Sequence, residues 1–209
     1  MHEIAAIILA AGEASRFRAV AGAQGPVTKL VAHYQGKALV RHVAEAGAHA
    51  GLSPLILVTG YGDAAVRAEL AGLDLVPVHN RDFASGMASS LKAGLAHVPA
   101  TARGVVILLG DMPLVTPQII AFLVQAFDAN PQAGAIVPVH EGMRGNPVLL
   151  AARLFPDLMQ LEGDAGARQV LRGREADVIE VAVGDPAARI DIDTPDMLRA
   201  LSSDSAPQT

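Results

Sequence analysis

Residues 4–29, IAAIILAAGEASRFRAVAGAQGPVTK, contain the transition that the reading of this chain turns on. The apolar run 4–9 has the composition of a strand buried on both faces. It stops at Ala10-Ala11-Gly12, three residues with almost no side chain. A polar and basic loop follows, carrying Ser15, Arg16, Arg18 and finally Lys29. Small residues beyond a buried strand let a ligand approach the backbone, whose N–H groups suit an anion. The cations place positive charge where a polyphosphate would lie. A plain βα turn edged by surface cations has the same local pattern, so the rest of the chain has to decide.

Further apolar runs occur at 55–59, 73–78, 104–109 and 133–139, alternating with helical stretches at 37–50, 64–71, 87–98 and 117–129. Thr116 followed by Pro117 is a good helix start, and Asp63 can cap its helix. This βα rhythm predicts an α/β fold, a Rossmann-like three-layer sandwich with a mostly parallel twisted sheet. Short strands expected at 147–150, 177–183 and 188–193 would add a short antiparallel edge. A last helix is expected from Thr194-Pro195 to Leu201. Residues 1–201 read as a single domain, and the polar tail 202–209 as disordered. In such folds ligands bind beyond the carboxyl ends of the strands, which singles out 10–12, 60–62, 79–80, 110–111 and 191–194.

Composition sets bounds. Of 209 residues, 51% are apolar but only 3% aromatic, so the core is aliphatic. A formal charge of −5 argues against nucleic acid or a membrane surface as partner. With no cysteine, disulfides, thiolate metal sites and cysteine nucleophiles are excluded, which fits a reducing cytoplasm. The start MHEIAAIILAAG lacks the basic region of a targeting signal.

Asp111 follows six apolar residues directly and is held by Met112-Pro113, a place where a hard cation could sit; an Asx turn would look the same. Asp191 and Asp193, two apart on an expected strand, would share a face and need a cation between them, unless Asp193 caps the next helix. Asn80, Ser85, Gly86, Ser89 and Ser90 cluster at a helix start and suit a base or ribose, or form an ordinary cap. Arg144 to Pro147 (RGNP) and Gly163 to Arg168 (GDAGAR) combine glycine with arginine, as anion-holding loops and ordinary turns both do. GYGDAA at 60–65 follows the second strand and reads as a turn. No Walker A, GxSxG or HExxH pattern occurs. His42 and His49 share a helix face without a third ligand nearby and read as structural.

Taken together, LAAGEASRF with Lys29, TGY, NRDFASGMASSLKAGL, LLGDMPLVT, RGNPVLL, GDAGAR and DIDTP resemble the MobA-like NTP transferase family, most closely its molybdenum cofactor cytidylyltransferases. The resemblance implies a nucleotide-diphospho-sugar transferase-like fold and Mg²⁺-dependent transfer of CMP from CTP to the terminal phosphate of molybdopterin, releasing pyrophosphate. It implies that Leu9, Ala10, Ala11, Gly12, Ser15, Arg16, Lys29, Asn80, Gly86, Ser90 and Gly110 bind the nucleotide. By it, Lys29, Arg16 and Asp111 are catalytic, and Asp111 with Asp193 and Asp191 holds Mg²⁺. Arg144, Asn146, Asp164 and Arg168 would face the acceptor, and the product would pass to a molybdenum hydroxylase or its chaperone. Ala11 stands where guanylyltransferases resemble a second glycine, and its methyl favours a pyrimidine. Arg18 stands where the family has glycine, with AVAGAQGPV inserted before Thr28-Lys29. Alternatives are another phosphorylated acceptor (a sugar phosphate, isoprenoid-precursor phosphate or phospholactate), GTP as donor, or a non-catalytic module that binds and delivers a nucleotide or cofactor.

Overall fold

The computed structural model describes residues 4–22 and 25–204. Its strands are β1 (Ile4–Ala10), β2 (His33–Tyr34), β3 (Lys37–Ala38), β4 (Leu55–Thr59), β5 (Val76–His79), β6 (Gly104–Leu109), β7 (Ala135–His140), β8 (Met143–Arg144), β9 (Val148–Ala151) and β10 (Val178–Ala182). Its α-helices are α1 (Ser15–Ala21), α2 (Leu39–His49), α3 (Asp63–Glu69), α4 (Met87–Leu95), α5 (Pro117–Ala129), α6 (Phe155–Leu158), α7 (Ala167–Val170) and α8 (Pro195–Asp204). The main sheet runs β5-β4-β1-β6-β9-β7-β10, with β8 beside β7, and β2 pairs with β3 apart from it. Every pairing along that path is parallel except those that β9 makes with β6 and β7. No described helix is long and apolar enough to cross a membrane.

The unbroken apolar runs follow from helices on both faces. Along β1, Ile4, Ala6 and Ile8 pack in a cluster that includes Val40 and Val43 of α2 and Ile120 and Leu123 of α5. Ala5 and Ile7 point the other way, to Leu91 and Leu95 of α4. Burying a leucine such as Leu91 is worth about 1.5–3 kcal/mol, so both faces draw on hydrophobic burial. Gly94 lets α4 approach β1, since a Cβ there would lie 2.7 Å from Cγ2 of Ile7.

Several expectations need correction. The basic loop after Gly12 contains α1, whose one buried side chain, Phe17, joins Tyr34, Leu39 and Ile192 in a third cluster. Lys37 and Ala38 are strand, so α2 begins at Leu39. The third strand starts at Val76, not at residue 73. Gly62 (φ 71°), rather than Asp63, is the N-cap of α3; Asp63 lies in its first turn and accepts a hydrogen bond from the Thr59 hydroxyl at 2.5 Å. The antiparallel strand β9 lies inside the sheet, between β6 and β7, and the short β8 supplies an antiparallel pairing off the main path. Residues 188–193 form no strand: a 3₁₀ turn, Pro186–Arg189, leads into an irregular segment. Helix α8 reaches Asp204, and residues 205–209 of the expected tail lie outside the described residues.

Candidate active site

At the carboxyl end of β6, Asp111 meets two segments distant in sequence. The N–H of Ile192 donates to the Asp111 carbonyl at 2.9 Å, and the Ile192 side chain is buried with Phe17, Tyr34 and Leu39. With Ile192 turned into the core, its neighbours Asp191 and Asp193 are left at the surface beside Asp111. One carboxylate oxygen from each of Asp111, Asp191 and Asp193 lies within 4.8 Å of the others. Their convergence thus comes from an anchored irregular segment, not from a shared strand face. Asp193 is not the cap of α8 either: the Thr194 hydroxyl accepts from the N–H of Met197.

Lys29 enters from the other side, held between Thr28 (0% exposed) and Leu30, both buried. Its Nζ lies 2.7 Å from Oδ2 of Asp111 and 2.6 Å from Oδ1 of Asp193. Arg16, on α1, reaches Oδ2 of Asp193 at 2.8 Å. Burial works against the Lys29 charge, but the Asp111 and Asp193 carboxylates outweigh it and hold the ammonium above the usual lysine value. The hydrogen bond from Lys29 holds the Asp193 carboxyl below its usual range against its own burial, helped by the Lys29 and Arg16 charges. The insertion after Arg18 therefore leaves Lys29 among the acids; Arg18 itself stacks over the Tyr61 ring at 4.6 Å.

The donor set suits a hard divalent cation. Three carboxylates face two cationic side chains, and Oδ1 of Asp111 is buried without a hydrogen-bond partner among the described residues. An unmatched buried oxygen is costly unless something positive meets it.

Beside this cluster opens a cavity of about 470 Å³, lined by Leu9, Ala11, Gly12, Lys29, Gly86, Ser90, Asp111 and Asp164 among others. Among the described residues, no backbone carbonyl accepts from the N–H groups of Gly12, Glu13 or Ala14, which leaves them available to an anion. Ala10, Ser15, Arg16, Asn80 and Gly110 do not line it. Ala10 is buried in the sheet, Arg16 sits on Asp193, Asn80 lies behind Ser90, and Gly110 donates its N–H to the Leu9 carbonyl. Ser15 begins α1. A neighbouring slot of about 290 Å³ joins Asn146, Asp164 and Arg168 over Leu91, Ile107 and Val148. A third cavity, of about 270 Å³, joins Arg144, Asn146 and Arg168 to Asp191 and Arg189. Arg144 is also paired with Glu180 at 2.6 Å. The four residues assigned to an acceptor thus gather on one side of the acids. Sequence reasoning missed Phe83 and Met87, which line the 470 Å³ cavity and lie within the quoted NRDFASGMASSLKAGL segment. It also missed Arg189, for which the sequence offers no motif.

A doubly wound sheet whose carboxyl edge gathers acids, cations and free amides around a cavity is a nucleotide-binding architecture. The chain belongs to the MobA-like NTP transferase family, whose domain matches residues 6–178, and it is accordingly a nucleotidyltransferase. It is 32% identical over 146 residues to the molybdenum cofactor cytidylyltransferase of Escherichia coli (strain K12), covering 69% of this chain and 71% of that one. It is 29% identical over 205 residues to the nicotine blue oxidoreductase of Paenarthrobacter nicotinovorans, covering 95% and 96%. Two crystal structures of Rv0371c from Mycobacterium tuberculosis H37Rv, the second a complex with manganese, share 28% identity and superpose with TM-scores of 0.81 and 0.76. Each covers 97% of this chain and 98% of that one.

Proposed function

We propose that this protein is a cytidylyltransferase: it transfers CMP from CTP to the terminal phosphate of molybdopterin, or of a closely related acceptor, and releases pyrophosphate. The observation carrying the proposal is the meeting of Lys29, Arg16, Asp111, Asp191 and Asp193 at the rim of the 470 Å³ cavity. In the reaction an acceptor phosphate oxygen bonds to the α-phosphorus of CTP while the bond to the α–β bridging oxygen breaks, and pyrophosphate departs. The nucleophile is already an anion, so the difficulty is bringing two anions together. Lys29 and Arg16 supply positive charge at the transferring phosphoryl group, and the N–H groups of residues 12–14 hold triphosphate oxygens. Asp111, Asp193 and Asp191 would hold Mg²⁺, which when bound neutralises phosphate charge. Arg144, Asn146, Asp164 and Arg168 orient the acceptor. The Ala11 methyl, at the cavity wall, contributes to the choice of cytosine, a difference of about 1–3 kcal/mol for a group of this size. The product would be passed to a molybdenum hydroxylase or its chaperone in the cytoplasm.

The match to nicotine blue oxidoreductase across nearly the whole chain favours a second reading, reduction of an organic acceptor. Clustered acids with Lys29 and Arg16 suit a magnesium triphosphate better than a hydride donor. The test is pyrophosphate release by the purified protein with molybdopterin and Mg²⁺, comparing CTP with GTP, alongside NAD(P)H oxidation with organic acceptors. Pyrophosphate formed in step with consumed acceptor, faster with CTP, is the expected result. Nucleotide binding without pyrophosphate for any acceptor would make the protein a delivery module. Cofactor oxidation alone would make it an oxidoreductase.

A further inference from the structure

Asn80 reaches no ligand space, yet its side chain is fully used. It is 6% exposed, and its backbone N–H donates to the Thr59 carbonyl at 2.8 Å, fastening it to the end of β4. The N–H of Asp82 lies 3.0 Å from the side-chain oxygen of Asn80. A backbone N–H can only donate, so this contact settles which way the amide faces: oxygen towards Asp82, NH₂ towards α4. That NH₂ donates to the Ser89 hydroxyl at 2.8 Å and to the Ser90 hydroxyl at 3.0 Å.

The two serines then differ. A hydroxyl has one proton to give. Ser89 gives its proton to a backbone carbonyl, with Gly86 at 2.8 Å and Asp82 at 3.0 Å. Ser90 is 5% exposed and lines the 470 Å³ cavity, and among the described residues no acceptor takes its proton. Asn80 fills one of the two lone pairs of Ser90, so the Ser90 O–H need not turn towards residue 80 and is the unmatched donor left for the cavity. A buried donor without an acceptor is costly, and the natural acceptor is a ligand atom.

We infer that Asn80 is a positioning residue for base recognition: by donating to Ser90 it leaves the Ser90 O–H to be given into the cavity, matched to the single carbonyl of cytosine. The inference rests on the cytidylyltransferase reading and deepens it. Asn80 touches no nucleotide, and its effect passes through Ser90 alone.

Asn80→Asp tests this with little change of shape. A carboxylate keeps the acceptor for the Asp82 N–H but has no proton for the serines. Ser90 must then turn its O–H towards residue 80 and present a lone pair to the cavity. The measurement is the dissociation constant, by calorimetry with Mg²⁺, of CTP and of inorganic tripolyphosphate. The second ligand reports any general effect of the added charge. The CTP-to-tripolyphosphate affinity ratio should fall about tenfold in N80D, the size of one hydrogen bond. It should fall comparably in Ser90→Ala, and no further when N80D is added to S90A. Equal losses for both ligands in N80D, or a further fall of the ratio in the double variant, would overturn the role of Asn80. A second measurement needs no change at Asn80: 2-thio-CTP, a poor acceptor at C2, should bind more weakly than CTP to wild type but equally to S90A. Equal binding to wild type would overturn the donor polarity. Wild-type protein that binds tripolyphosphate but not CTP would overturn the cytidylyltransferase reading as well. Normal CTP binding with an unchanged ratio in N80D would sink only the inference.

Discussion

Asp111 is the residue whose surroundings say most, because one of its oxygens faces Lys29 and the other is buried with no hydrogen-bond partner among the described residues. If it holds the metal, Asp111→Asn should lower pyrophosphate release by about 10²–10³, the loss typical of one electrostatic contact to a reacting centre, while cooperative unfolding is kept. Lys29 and Asp193 give a second expectation. Lys29 is held above the usual lysine value of about 10.4, so its contribution to stability is complete below that and lost only as pH rises through the raised value. Asp193 is held below the usual value of about 3.9, so its contribution is present above that and lost as pH falls through the lowered value. The contribution of this pair to melting temperature should therefore be flat from about pH 5 to pH 10. Lys29→Met removes the largest cause of the lowered Asp193 value. Its deficit in melting temperature against wild type should be constant over that window and shrink as pH falls below about 4, through the lowered Asp193 value. Both Lys29 and Asp111 were legible in sequence because each stands at a break in apolar patterning. The reason Asp191 and Asp193 meet Asp111 was not, since it lies in Ile192, whose burial depends on Phe17, Tyr34 and Leu39 from far along the chain.

Among elements, α1 carries Arg16 to the acids and α4 lines the cavity through Met87 and Ser90, and the two are set by different means. A seven-residue helix is marginal alone, so α1 reads as loop in sequence and is helical because Phe17 has a buried partner cluster. Helix α4 starts at Gly86, whose φ of 110° and closeness to the loop at Gly163 leave no room for a side chain; a Cβ would lie 2.3 Å from the Gly163 carbonyl. Gly86→Ala should cost about 1–3 kcal/mol of stability in denaturant unfolding and weaken nucleotide binding, because the loop carrying Asp164 is displaced. Gly12→Ala is the contrast. A Cβ there meets nothing within 4 Å, so melting should be unchanged and any loss of nucleotide affinity comes from the ligand side. The place of β9 inside the sheet was not legible, since a four-residue apolar strand looks the same at an edge or in the middle.

Across the molecule, the residues proposed to hold nucleotide, metal and acceptor include ones at the ends of β1 and β6, on the approach to β9 and in the segment before α8, so ligand binding should tighten the fold as one unit. CTP with Mg²⁺ or Mn²⁺ at 100 times its dissociation constant should add about 2.7 kcal/mol of stability, read as a rise in melting temperature. Chelation should remove most of that rise if the acids act through a metal. The parallel core, its two packed faces and the strand end where the acids and the cavity lie were legible beforehand, because apolar runs of strand length between amphipathic helices leave few other ways to bury them. Lys29, Asp111 and the small residues after β1 stood out there as candidates, although a plain βα turn or an Asx turn has the same local pattern. What long-range packing alone settled was which acid meets which cation and where β9 inserts. Each is a contact between residues far apart in the chain, selected by steric fit and by the need to pair buried polar groups, and neither leaves a local periodicity to read.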